Sequence, residues 1–235
     1  MRFGRILPGL ALLLAAACRA PPAPRAPTGA EPPPTAGVEL YQVDAAHSQL
    51  TLRVYRDGPL AALGHNHVIA VHGLEGSIHW HPDPRRCSLA VRFAATGLGV
   101  DEPALRAAAG PDFAANVDEA ARSGTRANML GPRVLDAQRY PEITLVSEGV
   151  SGSASAPRIA LRAFVAGHDA LLEVPAQVER DAAGLHATGE MDLRQTQLGL
   201  TPFAVMLGAL RVADTLHVHF DIRARPASIG GGGAS

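Results

Sequence analysis

Six short segments of this chain alternate apolar and polar residues in period two, and nothing else in the sequence restricts the fold as tightly. "HSQLTLRVY" sets Leu50, Leu52 and Val54 against Thr51, Arg53 and Tyr55. "CSLAVRF" sets Leu89, Val91 and Phe93 against Ala90 and Arg92, and "EITLVS" carries Ile143 and Leu145. "RIALRAFV" opposes Ile159 and Leu161 to Arg162, and "GLHATGEMDL" opposes Leu185, Met191 and Leu193 to His186, Glu190 and Asp192. In "TLHVHFDIRA", Leu216, Val218, Phe220 and Ile222 share one face, and His217, His219, Asp221 and Arg223 share the other. Side chains on a strand alternate across the sheet, so each segment has one dry and one wet face, as in an antiparallel sheet. About eight such strands leave a sandwich or a closed barrel as the architectures.

One region departs from this pattern. Gly99 to Leu135 is Ala-rich and reads as helix over Asp101–Ala108 and again over Phe113–Ser123. The expectation is a helical crossing between two strands, covering one end of the barrel.

The first residues are a different kind of segment. Arg2 and Arg5 precede an apolar run from Ile6 to Ala17, short of the roughly 18 residues that span a bilayer, which is the pattern of a secretory signal peptide. The small residues before Cys18 are similar to a bacterial lipobox, which makes residues 1–17 the leader and Cys18 the lipidated first residue. The alternative is an ordinary cut near the same Ala run, giving a soluble periplasmic or secreted protein. Residues 18–37 continue as a Pro-rich tether whose polyproline II form reaches about 50–60 Å. The domain is expected over 38–226, with a flexible Gly-rich tail at 227–235. With Cys18 lipidated, Cys87 has no partner in the chain and no disulfide framework exists. The net charge of −1 marks no nucleic-acid binder.

Half of the ten histidines lie in "GHNHVIAVHGLEGSIHWHP". His65 and His67, or His79 and His81, share a face as i, i+2 pairs and offer two nitrogens each, so these four make an alternative zinc or copper site. The competing reading sends His79 and His81 to the wet face, opposite Ile78 and Trp80. It leaves His65 and His67 in a turn at the barrel rim, where replacing both is expected to leave stability nearly unchanged. No nucleophile motif and no phosphate loop is present. His47 and Ser48 are adjacent on extended backbone and point apart, so an Asp44–His47 turn contact is expected rather than a catalytic pair. The chain reads as a binding protein and not an enzyme.

Several segments together resemble the YceI-like family: "YQVDAAHSQLTLRV", "GLEGSIHW", "NMLGPRVLDAQRYPEITLVSEGV" with Leu135-Asp136 before Tyr140-Pro141, and "GEMDLRQTQLGLTPF". The resemblance runs from about Tyr41 to Ala224. It implies a lipocalin-like antiparallel barrel whose elongated apolar cavity takes a polyisoprenoid lipid, such as a quinone tail or a polyprenyl phosphate, in an envelope protein. No cofactor is expected beyond such a bound lipid. The expected cavity residues are Leu50, Leu52, Val54, Ile78, Trp80, Leu89, Val91, Phe93, Ile143, Leu145, Ile159, Leu161, Met191, Phe203, Met206, Val218 and Phe220, with His65 and His67 as its polar rim.

Overall fold

A computed structural model describes residues 37–227; the expected leader, Cys18, the rest of the expected tether and the tail from 228 onward lie outside the described residues. One antiparallel sheet holds thirteen strands. They are β1 (Glu39–Val43), β2 (Gln49–Asp57), β3 (His67–Val71), β4 (Glu75–Trp80), β5 (Ser88–Ala94), β6 (Leu98–Val100) and β7 (Glu142–Gly152). They continue as β8 (Pro157–Val165), β9 (His168–Pro175), β10 (Gln177–Arg180), β11 (Leu185–Arg194), β12 (Ala204–Val205) and β13 (Leu210–Pro226). Between β6 and β7 lie the two helices, α1 (Pro103–Ala108) and α2 (Glu119–Leu130).

The pairing reduces thirteen strands to eight staves of a barrel. β1 and β2 run along the same edge of β13, facing β4 and β3 on their far side. β4 and β3 face β5 and β6 in turn. The ladder proceeds from β5 to β7, β8 and β9. β9 and β10 are one path interrupted at Ala176: the first half pairs with β8 and the second with β11. β11 and β12 then lie on the other edge of β13, where Leu216 pairs with Leu193 on one side and Val54 on the other. The staves are therefore β1/β2, β3/β4, β5/β6, β7, β8, β9/β10, β11/β12 and β13, each beside its neighbour in sequence. Closure covers backbone edges that an open sheet would leave unpaired.

Local chemistry sets the interruptions. Between β1 and β2, His47 Nδ1 meets Asp44 Oδ2 at 2.9 Å and Ser48 Oγ donates to the Asp44 carbonyl at 2.8 Å. In β13 the register shifts between Val212 and Leu216. Buried Gln195 answers that irregularity by donating its amide N–H to the Ala213 carbonyl at 2.8 Å. β3 departs from period two: Val68, Ile69, Ala70 and Val71 are all buried. Its outer side is covered by the crossing, where Asp101 N–H donates to the Val68 carbonyl at 2.8 Å.

The crossing itself differs from the expected helices. α1 starts at Pro103 rather than Asp101, because Asp101 stands at φ +52° outside the helical region and is used as a buried acceptor. α2 starts at Glu119 rather than Phe113 and ends at Leu130 rather than Ser123. Phe113 belongs instead to a short 3-10 turn that anchors the segment, with 1% of its surface exposed. Asp118 caps α2 by accepting from the Ala121 N–H at 2.8 Å, and Gly131-Pro132 closes it. Among the described residues no helix is long and apolar enough to cross a membrane.

Candidate functional site: the barrel cavity

The inward residues of the staves do not close on one another. They surround a cavity of about 750 Å³, within the range of sites that take small ligands. Leu210 and Ile222 of β13 both line it, 222 − 210 = 12 residues apart. That separation is about 40 Å of strand at roughly 3.3 Å per residue, and about 30 Å along the axis of a tilted barrel. The cavity is therefore long and narrow. Leu52, Val91, Leu145 and Phe220 keep part of their surface accessible although they point inward, because they face open space.

Sixteen of the seventeen expected apolar residues lie on its wall. Leu50, Leu52 and Val54 come from β2, Ile78 and Trp80 from β4, and Leu89, Val91 and Phe93 from β5. β7 supplies Ile143 and Leu145, β8 supplies Ile159 and Leu161, and β11 supplies Met191. Val218 and Phe220 come from β13, and Phe203 from the loop before β12. Met206 is the exception. It stands at φ +50° in a turn outside the barrel and is largely exposed, because Met206, Leu207 and Gly208 are all left-handed and turn the loop outward.

Other lining residues were not expected. Leu172 and Val174 of β9 follow the same period-two signal in "HDALLEVP" and were legible there. Ile69 and Val71 sit in the uniformly apolar run of β3, which hides which side faces in. Ala121, Gly124, Thr125, Asn128 and Met129 close one end from α2, and no local pattern marks them.

The end beneath α2 is the polar one. His65 and His67 line it together, their ring centroids 6.2 Å apart, with Arg56, Thr125 and Asn128 nearby on the same wall. His67 begins β3 and is not a free rim group: its Nδ1 lies 2.6 Å from Asp101 Oδ2 and its Nε2 lies 3.4 Å from Thr125 Oγ1. Asp101 is 1% exposed and also accepts from the Val68 N–H at 2.9 Å and from Arg106 at 2.7 Å. Burial alone pushes its carboxyl upward, but the His67 and Val68 hydrogen bonds and the Arg106 charge outweigh that and hold it below the usual carboxylate range. Replacing His67 therefore removes a structural partner, contrary to the expectation of unchanged stability.

The four-histidine metal constellation does not assemble. His67 starts the β3/β4 stave and His81 lies just past its end, 81 − 67 = 14 residues later. At roughly 3.3 Å per residue they are tens of ångströms apart along the stave. His79 alternates to the outside between Ile78 and Trp80, and His81 accepts from the Asp83 N–H at 2.9 Å. Among the described residues no group of three or more His, Cys, Asp or Glu side chains is placed to hold a metal ion. Cys87, a free thiol at the far end of the cavity, has its acidity reduced by burial.

The sequence matches the model of the YceI-like domain over residues 41–224. The chain belongs to the YceI-like family. Two solved structures of distant sequence share this chain's fold. BcnA of Burkholderia cenocepacia superimposes with a TM-score of 0.56 at 14% identity, covering 77% of this chain and 98% of that one. A polyisoprenoid binding domain from Saccharophagus degradans, implicated in plant cell wall breakdown, gives 0.53 at 10% identity, covering 79% and 98%. At such identities the likeness is one of fold. No curated protein matches the sequence.

Proposed function

We propose that this protein is an envelope lipoprotein that holds the tail of a polyisoprenoid-type lipid, such as a quinone or a polyprenyl phosphate, in its barrel, as carrier, store or sensor. The observation that carries this reading is a cavity long enough for a chain and apolar along its wall, with polar groups at one end. A tail leaving a bilayer unprotected would expose several hundred Å² of apolar surface, and 500 Å² costs roughly 12 kcal/mol at about 25 cal/mol per Å². A dry tunnel removes most of that cost. His65, Arg56 and Asn128 at the α2 end suit a head group that stays hydrated while its tail is buried. The family and the polyisoprenoid-binding description of the Saccharophagus domain support the same ligand class.

Binding rather than catalysis fits the chemistry of the polar end. His67 and Asp101 are committed to each other and to Val68 and Arg106, and the Thr125 hydroxyl, 3.4 Å from His67 Nε2, stands outside the roughly 2.6–3.2 Å at which a base activates a nucleophile. The leader, Cys18 and the Pro-rich tether support lipidation and a periplasm-facing position; a soluble periplasmic or secreted protein is the alternative. The test is native mass spectrometry with quinones of increasing tail length. Affinity should rise with each isoprene unit until the tail fills the tunnel and then level off. Affinity independent of tail length would reject the reading.

A further inference from the structure

Beside the polar end of the cavity, two loops present apolar side chains that no part of the described chain covers. The first joins β2 to β3 and exposes Leu60 and Leu63; the second surrounds β12 and exposes Val205, Met206 and Leu207. These are five of the six large apolar residues exposed among the described residues; the sixth, Leu171, is on β9. The loops form one tip. Leu60 N–H donates to the Ala209 carbonyl at 2.9 Å, and Gly58, at φ +95°, packs so closely on that carbonyl that a Cβ would lie 2.5 Å from its oxygen. Leu207 is held fully outward at φ +55°, a conformation a leucine rarely adopts.

Two features say what covers this tip. The patch runs without a break into the cavity, since Val205 belongs to both and Gly64 and Leu210 beside it line the mouth. It is also collared by positive charge. Arg56 donates to the Gly64 carbonyl at 2.6 Å and Arg133 to the Ala204 carbonyl at 2.7 Å, and neither forms an ion pair with a carboxylate among the described residues. Arg211 and Asp57, 2.7 Å apart, neutralise each other.

We propose that this tip docks on an anionic lipid bilayer, with the five apolar side chains entering the interface and the two arginines meeting lipid phosphates. The mouth would then open directly onto the membrane, so a lipid tail enters without crossing water. This rests on the reading that the cavity takes an isoprenoid lipid.

Trp80 is the chain's only tryptophan, so full-length protein carrying Trp80→Phe with Leu207→Trp reports from the tip alone, and Trp80→Phe with Leu171→Trp is its control. Mixed with brominated phosphatidylglycerol and phosphatidylethanolamine vesicles, the tryptophan at 207 should be quenched and that at 171 should not, with less quenching in phosphatidylcholine alone. Separately, Leu63→Ser with Leu207→Ser should slow uptake of a long-tailed ubiquinone from vesicles by about tenfold, the factor expected from losing part of the burial of two leucines. Uptake from detergent micelles should be unchanged. Equal quenching at both positions, or none at 207 in protein that takes up ubiquinone from micelles, overturns the docking and leaves the cavity reading intact. Fluorescence at 207 that changes with protein concentration alone means a second copy covers the tip, and also overturns it. Wild-type protein that takes up ubiquinone from neither source overturns both readings.

Discussion

Asp101→Asn isolates the charge that holds the crossing to the barrel mouth. Asp101 stands at φ +52°, where asparagine is as acceptable as aspartate, so the substitution adds no backbone strain. It does remove the carboxylate that accepts from His67, Val68 and Arg106 in a position 1% exposed. An amide has one acceptor oxygen and a donor group that must then face His67 or Arg106. Arg106, whose side chain is 11% exposed, loses its counter-charge. Breaking one side of a buried pair costs about 3–5 kcal/mol. A domain of this size loses about 2–4 °C of melting temperature per kcal/mol, so the variant should melt about 6–20 °C lower by circular dichroism. Arg106→Gln in the same chain should recover much of that loss, because no charge is then stranded. A fall below about 3 °C, or a double variant no more stable than the single one, would refute the claim that this ion pair fixes the crossing.

The remaining predictions concern pH, the cavity and the anchor. The Asp101 carboxyl is held below its ordinary value in the folded protein, so its contribution is complete above the unfolded value of about 3.9 and is lost as pH falls through the lowered folded value. The difference in melting temperature between wild type and Asp101→Asn should therefore be constant from neutral pH to about pH 5 and shrink below about pH 4; a difference that shrinks nearer neutrality would contradict this. Val91→Trp with Leu161→Trp, both facing the cavity, should reduce retained lipid several-fold with the fold intact, measured by quinone content per mole of protein. Cys18→Ser should release the protein from the membrane fraction and abolish palmitate labelling, since stable anchoring takes more than one acyl chain.

The orientation of the strands was legible because period two reports directly which side of a strand meets water. Leu216, Val218, Phe220 and Ile222 line the cavity in the order the alternation gives, while His217 and His219 do not. The expected eight strands correspond to staves, most of them broken by one to several residues. Such breaks, as at Asp44–Ser48 or Ala176, arise from side-chain contacts and pairing changes that alternation does not encode. β3 was opaque because the crossing buries its outer side as well. The start of α2 was misplaced because helix propensity is uniform across the Ala-rich segment, whereas the Asp118 cap and the burial of Phe113 decide the boundary. His67 was expected in a turn at the barrel rim and instead begins β3, held by Asp101, a partner 34 residues away and beyond the reach of local pattern. Met206 was misassigned because apolar character alone does not reveal a left-handed turn.

The central claim is that the barrel carries an isoprenoid lipid in its cavity, and the most direct measurement is the content of the protein as the cell makes it. Full-length protein purified gently from the cells that make it is extracted with organic solvent for mass spectrometry, and a parallel sample goes to elemental analysis. The account predicts an isoprenoid-tailed lipid approaching one per chain, reduced in Val91→Trp with Leu161→Trp, and no stoichiometric metal. A stoichiometric zinc or copper ion with no retained isoprenoid, or an empty protein that takes up none when offered, would contradict it.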